Sequence, residues 1–339
     1  MSAAYELVCK ELKRAPKRWC VTGVAGFIGS HLLQTLLDLD QDVTGIDSFV
    51  TGKRENLKDV ERIVGAQRWK RFTFIEGDIC DHSSCVGALR GCEVALHQAA
   101  LGSVPRSMQD PVSTTQANVE GFVNVISVAR EVGVKRFVYA SSSSVYGDEP
   151  SLPKIESRVG KALSPYAVSK RANELYADLF SRTYGYAGVG LRYFNIFGPR
   201  QDPQGPYAAV IPRWIGSLLK GKQCSIYGDG ETSRDFCYVA NAIQANILAA
   251  CVEPGSLSQS VFNVAVGTRT SLNELYQLIS QKIAARSAVK LTAAAYEPFR
   301  EGDVRHSLAE IYALRNILGY EPTHSVGRGI GETVDWFTV

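Results

Sequence analysis

The stretch Trp19-Cys20-Val21-Thr22-Gly23-Val24-Ala25-Gly26-Phe27-Ile28-Gly29-Ser30 decides how this chain is read. A strand-like tetrapeptide runs straight into three glycines spaced three apart. From Ser30 to Leu39 the apolar positions Leu32, Leu33, Leu36 and Leu37 then recur at helical spacing. Strand, glycine turn and helix together form a cradle for phosphate. Gly23, Gly26 and Gly29 let the backbone turn tightly and approach a pyrophosphate, while the helix start at Phe27-Ile28 offers free N–H groups and the positive end of its dipole. Asp47 supplies the acid expected at the end of the next strand, Asp42 to Ile46. A carboxylate there accepts both ribose hydroxyls and repels a 2′-phosphate, which favours NAD over NADP. Lys53 and Arg54, close by, weigh the other way. Asp78-Ile79, after a third strand at 72–75, sits where an adenine-contacting pair belongs, although Asp78 reads equally well as a helix cap.

Outward from this loop the pattern repeats. Glu93 to His97, Arg136 to Ala140 and Gly188 to Arg192 read as further strands, and Asn118 to Glu131 and Tyr166 to Tyr184 as helices. Strands separated by helices imply right-handed crossovers and a mainly parallel sheet covered on both faces, an α/β protein. Past Asn195 prolines and glycines become dense and the alternation loosens. The expected division is a dinucleotide-binding domain over residues 1–194, with 235–265 returning to its sheet, and a smaller substrate-binding domain from 195–234 and 266–339.

Composition excludes more than it assigns. The 339 residues are 45% hydrophobic and 21% charged, enough for a large core and too apolar for a disordered chain. Lys+Arg 37 against Asp+Glu 34 is too mild a balance for a nucleic-acid partner. The densest basic stretch, Lys10 to Arg18, is interrupted by Glu11 and Pro16 and reads as a solvated N-terminal arm. No apolar run approaches a membrane span, and residues 1–19 lack a signal-peptide core. None of the eight cysteines has CxxC spacing, so reduced thiols in a cytoplasmic protein and no metal site are expected.

Chemistry enters at Ser164-Pro165-Tyr166-Ala167-Val168-Ser169-Lys170. Ser164 reads as an N-cap and Pro165 as the first helical residue, so Tyr166 and Lys170 share a face one turn apart. A free phenol, with a pKa of ~10, is a poor base at neutral pH. The ammonium, the helix dipole and a positive nicotinamide ring would lower it. Three units require about 4 kcal/mol of preferential stabilisation of the phenolate. Ser141 to Ser144, just after the fifth strand, places hydroxyls at the carboxyl edge of the sheet, where cofactor crevices lie.

At this point the chain resembles the extended short-chain dehydrogenase/reductase family, in the Tyr-x-x-x-Lys pair, the upstream serine, Asn118 and the glycine loop. His97-Gln98-Ala99-Ala100, Ser144-Val145-Tyr146-Gly147, Arg192 to Gly198 and Arg234-Asp235-Phe236 are similar to its nucleotide-sugar members. Ala100 to Ser107 and Arg300 to Ser307 are similar to bacterial UDP-N-acetylglucosamine 4-epimerases of surface-polysaccharide pathways. The resemblance implies a Rossmann-type sheet with bound NAD and a UDP-sugar partner. It implies that Tyr166 exchanges the proton of the sugar's 4-hydroxyl, that Lys170 tunes it and holds the nicotinamide ribose, and that Ser142 is the catalytic serine. It also implies that Gln98 meets the cofactor, that Ser103, Ser143, Ser144, Gln201, Ala209 and Asp303 line the sugar side, and that Asn195, Arg234 and Arg300 hold the uridine diphosphate. A homodimer is implied through the helices beginning near Asn118 and Tyr166.

Hexose 4,6-dehydratases similar to this chain carry an Asp-Glu pair where Ser143-Ser144 stands, and decarboxylases a glutamate in that segment. Elimination needs an acid and a base, so two serines favour epimerisation. Ser307 falls where similar epimerases carry either a tyrosine or a small residue, and its size leaves room for a 2-acetamido group. A dehydratase, a decarboxylase and a non-catalytic NAD sensor are the competing readings.

Overall fold

The computed structural model describes residues 2–204, 208–252, 257–299 and 304–338. Seven parallel strands form the central sheet: β1 (Arg18–Thr22), β2 (Asp42–Asp47), β3 (Phe72–Glu76), β4 (Val94–His97), β5 (Arg136–Ser142), β6 (Gly188–Tyr193) and β7 (Val261–Val264). Their spatial order is β7-β6-β5-β4-β1-β2-β3. The order reverses between β1 and β4, whose registers place Thr22 beside His97. In open parallel sheets the crevice at such a reversal, outside the carboxyl ends of the strands, is where ligands bind. β4 and β6 are buried along their whole lengths, as strands covered on both faces must be.

Seven helices matter for the site: α1 (Ala3–Arg14), α2 (Phe27–Asp38), α3 (Arg54–Trp69), α4 (His82–Leu89), α5 (Gly121–Glu131), α6 (Pro165–Tyr184) and α7 (Val239–Cys251). They cover both faces, and each face has its own apolar core. One is built around Leu32, Leu36, Val21 and Ile247, the other around Phe122, Val125, Phe137 and Ala177. α6 begins as its sequence dictates: the Ser164 hydroxyl accepts from the Ala167 N–H at 3.1 Å and Pro165 takes the first turn. It ends at Gly185, in the left-handed conformation.

The N-terminal segment is not a solvated arm. Ser2 caps α1, whose Tyr5 and Leu12 are buried against α7. Gln41, fully buried, locks this helix down. Its Oε1 accepts from the Lys17 N–H and Trp19 Nε1, and its Nε2 donates to the Leu12 and Leu39 carbonyls. The charges of the stretch occupy the outer face of an amphipathic helix, so the charge run hid the helix.

Candidate active site

A cavity of about 750 Å³ opens at the carboxyl ends of β1, β2, β4 and β5. Gly23, Gly26, Phe27, Ile28, Gly29, Asp47, Asp78, Ile79, Gln98, Ser103, Ser142, Tyr166, Lys170 and Gln201 all line it. It therefore gathers the whole expected cofactor set together with the expected catalytic trio, Tyr166, Lys170 and Ser142.

The glycine turn tolerates no side chain. Gly23 has φ +68°, and a Cβ there would come within 2.8 Å of the Ala99 Cα. A Cβ on Gly29 would run into the Gly23 carbonyl. α2 can thus start against the end of β1, and no side chain caps it at Gly26, which leaves its first N–H groups available to an anion. Asp47 is pinned at the end of β2: Oδ2 accepts from the Ala25 N–H at 2.9 Å and Oδ1 from the Phe49 N–H at 2.8 Å. Burial pushes its carboxyl up, and those two amides oppose the shift. Lys53 and Arg54 do not reach this acid. Lys53 pairs with Asp202, and Arg54 pairs with Glu76 while lying over the Phe49 ring. Both cations are thus engaged by carboxylates other than Asp47. Asp78 is not the cap of α4; Asp81 is, accepting from the Ser83 and Ser84 N–H groups. Asp78 instead accepts from the Cys80 N–H. Cradle, uncapped helix and acid fit a dinucleotide without a 2′-phosphate.

At the other end of the cavity, Lys170 is almost wholly buried and donates to the Ala140 carbonyl at 2.9 Å. Burial lowers its pKa to about 8. Its Nζ lies 5.9 Å from the centre of the Tyr166 ring. Burial raises the Tyr166 phenol, and a hydrogen bond from Ser142 opposes that rise. The protein's own groups thus leave the phenol above its ordinary value; the lowering expected from the ammonium, the helix dipole and the nicotinamide ring belongs to the cofactor-bound state. Ser142 Oγ also accepts from the Ser144 N–H at 3.1 Å, which fixes its rotamer.

Asn118 sits in a π-helical turn, Gln116–Glu120. Its side chain accepts from the Leu101 N–H and donates to the Leu101 carbonyl and to Ser169 Oγ. It ties the loop after β4 to α6, next to Lys170. Gln98 belongs to a closed triangle: it donates to Asn246, accepts from the Tyr193 hydroxyl, and Asn246 donates to that same hydroxyl.

The sugar-side residues are more scattered. Ser143 and Ser144 enter a 3-10 turn, Ser143–Tyr146, and do not line the cavity; the Ser144 hydroxyl is buried without a partner. Asn195 holds a left-handed backbone and donates to the Asp235 carbonyl. Ala209, exposed, precedes the helix Val210–Leu218 and lies outside the cavity. Arg234 donates to the Ser233 and Arg305 carbonyls, and the Ser307 N–H donates to the Ser233 carbonyl. The structure thus brings Arg234 and Ser307 together about the Ser233 carbonyl, and neither lines the cavity. Arg300 and Asp303 lie outside the described residues. Asp235, fully buried, joins these segments by accepting from the Val266, Gly267 and Ala309 N–H groups.

Sequence reasoning missed a buried ionic knot behind the catalytic pair. Glu174, one turn after Lys170, receives Arg192 through two 2.8 Å contacts, the Ser141 hydroxyl at 2.6 Å and Arg171 at 2.8 Å. Its helical spacing from Lys170 was the available signal. Thr22 was also missed. Its hydroxyl bonds His97 Nδ1 at 2.9 Å and receives the Ala99 N–H, fixing the loop over the glycine turn.

The comparisons agree with this geometry. A putative UDP-glucose 4-epimerase of Methanocaldococcus jannaschii is 35% identical over 318 residues, covering 93% of this chain and 97% of its own. A UDP-N-acetyl-alpha-D-glucosaminuronate decarboxylase of Bacillus cytotoxicus is 32% identical, covering 95% and 98%. Among solved structures, a UDP-N-acetylglucosamine 4-epimerase from Methanobrevibacter ruminantium in complex with UDP-N-acetylmuramic acid superposes with a TM-score of 0.86. It is 39% identical, with 95% of this chain and 98% of that one covered. The pattern of the NAD dependent epimerase/dehydratase family matches residues 19–265, and the chain belongs to that family, with NAD as its cofactor.

Proposed function

We propose that the protein interconverts UDP-N-acetylglucosamine and UDP-N-acetylgalactosamine by inversion at C4. The observation that carries this reading is the makeup of the catalytic trio. Tyr166, Lys170 and Ser142 line the cofactor cavity together, and serines stand at 143 and 144, where similar dehydratases carry an Asp-Glu pair. Among the described residues lining the cavity the carboxylates are Asp47 and Asp78, after β2 and β3, so none stands beside the trio to eliminate water. The 39% identity to a UDP-N-acetylglucosamine 4-epimerase supports the substrate class.

Bound NAD supplies the reversible acceptor for the C4 hydrogen. Tyr166 takes the 4-hydroxyl proton and returns it when the sugar has presented its other face. Ser142 donates to the same oxygen and keeps the phenol aligned. Lys170, held on the Ala140 carbonyl, places a positive charge beside the phenolate as it forms. Arg234, beside Ser307, holds the diphosphate while the sugar turns; the family resemblance assigns Arg300 and Asp303 to the same substrate. Gly23, Gly26, Gly29 and Asp47 hold the dinucleotide.

The deciding experiment incubates the protein with UDP-N-acetylglucosamine and reads the products by NMR. Epimerisation gives an equilibrium mixture of the two N-acetylhexosamines. A 4-keto-6-deoxy sugar overturns the reading in favour of a dehydratase, and no conversion despite NAD binding in favour of a sensor. A pentose product from UDP-glucuronate, with the N-acetylhexosamine untouched, favours a decarboxylase. Ser307 sets the acetamido preference. Ser307→Tyr is expected to lower kcat/KM for the N-acetylated sugar about tenfold relative to UDP-glucose, the effect of roughly 1–3 kcal/mol of overpacking. An unchanged ratio removes Ser307 from that role.

Two copies pair through α6. Val168, Leu175 and Leu179 form an exposed apolar stripe at helical spacing, with exposed Met108 and Val112 on the adjoining segment. Sedimentation of the wild type should give a dimer, and Leu175→Glu/Leu179→Glu a monomer. A monomeric wild type excludes the pairing.

A further inference from the structure

Residues 199–202, which follow the short strand Ile196–Phe197, form a strap between the two halves of the molecule. Four contacts clasp it to the cofactor side. His31 Nε2, on α2, donates to the Pro199 carbonyl at 3.0 Å. Arg200 lays its guanidinium between α2 and α3, donating to Gln34 Oε1 at 2.6 Å and to Asp59 Oδ2 at 2.7 Å. Lys53, at the start of α3, pairs with Asp202 at 2.8 Å.

Arg200 is held against its own preferences. Its backbone has φ +63°, which arginine rarely adopts, and its side chain is only 2% exposed. Burying a guanidinium is costly unless a carboxylate meets it. Burial lowers Arg200, and Asp59 opposes that. His31 is pushed down to about 3 by burial and then by Arg200, so it sits neutral, as a donor to a carbonyl requires. Strain and burial of this kind persist only where surrounding contacts fix them.

The next residue shows what the strap delivers. Gln201 lines the cavity together with Gly26, Phe27 and Ile28. Its Nε2 donates to the Ile196 carbonyl, and its Oε1 is buried with no protein partner. An unsatisfied acceptor in the cavity wall is completed by a donor on the ligand, such as a hydroxyl or amide of the dinucleotide.

We propose that Arg200 is a positioning residue whose clasp on Asp59 and Gln34 closes residues 199–202 over the dinucleotide, so that NAD is retained between turnovers. This retention does not depend on which sugar is processed, so it stands or falls separately from the substrate assignment. Opening the clasp releases cofactor without touching any group that lines the phosphate cradle.

The test measures the release of NAD. Wild-type protein is expected to keep its NAD through gel filtration and to exchange it slowly for isotopically labelled NAD. Arg200→Met/Asp59→Leu removes both charges of the pair and so avoids a lone buried ion. It is expected to exchange at least tenfold faster and to emerge depleted of NAD, with thermal unfolding in saturating NAD close to wild type. Lys53→Ala opens only the exposed outer clasp, cannot threaten the core, and should exchange about threefold faster. Arg62→Ala removes a neighbour that touches Asp59 from the solvent side, and should exchange at the wild-type rate. Wild-type exchange in the double variant, or in Lys53→Ala if the double variant does not fold, overturns the proposal. So does acceleration by Arg62→Ala equal to that of the clasp variants.

Discussion

Tyr166→Phe is expected to lose at least about 10³-fold in turnover while keeping its full complement of NAD. Transfer of a proton by a positioned side chain contributes roughly 10²–10⁴-fold, and Tyr166 is a phenol bonded to Ser142 in the cavity wall. The substitution is nearly silent for the fold. The ring volume stays, α6 still starts on Ser164 and Pro165, and Ser142 Oγ still accepts from the Ser144 N–H. The cofactor cradle lies at the other end of the cavity and does not use the hydroxyl. Two measurements on one preparation decide the matter: conversion of the UDP-sugar by NMR, and NAD released on denaturation. Activity within tenfold of wild type removes Tyr166 as the acid and base. Loss of NAD together with activity shows instead that the phenol holds the cofactor.

The largest effect on stability is expected from Arg192→Met. Arg192 and Glu174 are each 2% exposed, and their contact is bidentate. Burial alone would raise the Glu174 carboxyl, but Arg192, Ser141 and Arg171 hold it below its ordinary value. Its stabilisation is therefore present above the unfolded carboxyl pKa of 4.5 and fades as the pH falls below it. Taking away the guanidinium leaves a carboxylate in the core with one hydroxyl and one half-exposed arginine. Breaking such a pair from one side costs about 3–5 kcal/mol, a fall in Tm of roughly 4–7 °C for a chain of this length. Glu174→Leu/Arg192→Met removes both ions and should recover most of that loss. Calorimetry of the two variants against wild type reads both effects. A single substitution costing less than about 1 kcal/mol would mean that water already reaches the pair. The functional consequence is local, because Ser141 lies between Ala140, whose carbonyl holds Lys170, and Ser142.

What could be read from the chain, and what could not, follows from how far apart the interacting groups lie. The glycine turn, Asp47 and the Tyr166–Lys170 pair are local patterns with a fixed period, and each is found in the cavity. Ser142 was legible because strand ends face the crevice. Its two neighbours enter a 3-10 turn right after it, a local geometry that the serine run does not announce. The clasp at Arg200 joins positions 141 and 166 apart, and no spacing rule encodes that. Asp235 accepts from backbone N–H groups of residues 266, 267 and 309, and amides carry no sequence signature. The basic stretch before β1 hid a helix because only Tyr5 and Leu12 of that helix are buried, with Ala4, Val8 and Cys9 packed at the edge of the core.

The triangle of Gln98, Tyr193 and Asn246 bears on the order in which the protein can be made. Gln98 leaves the ribosome early, whereas Asn246 and the last strand of the sheet, β7, emerge some 150 residues later. Until then β6 has a bare edge, and Gln98 and Tyr193, which both line the cavity, lack the Asn246 amide that closes their triangle. The wall of the cavity is thus assembled from parts of the chain made far apart in time, and its last polar contact waits for α7.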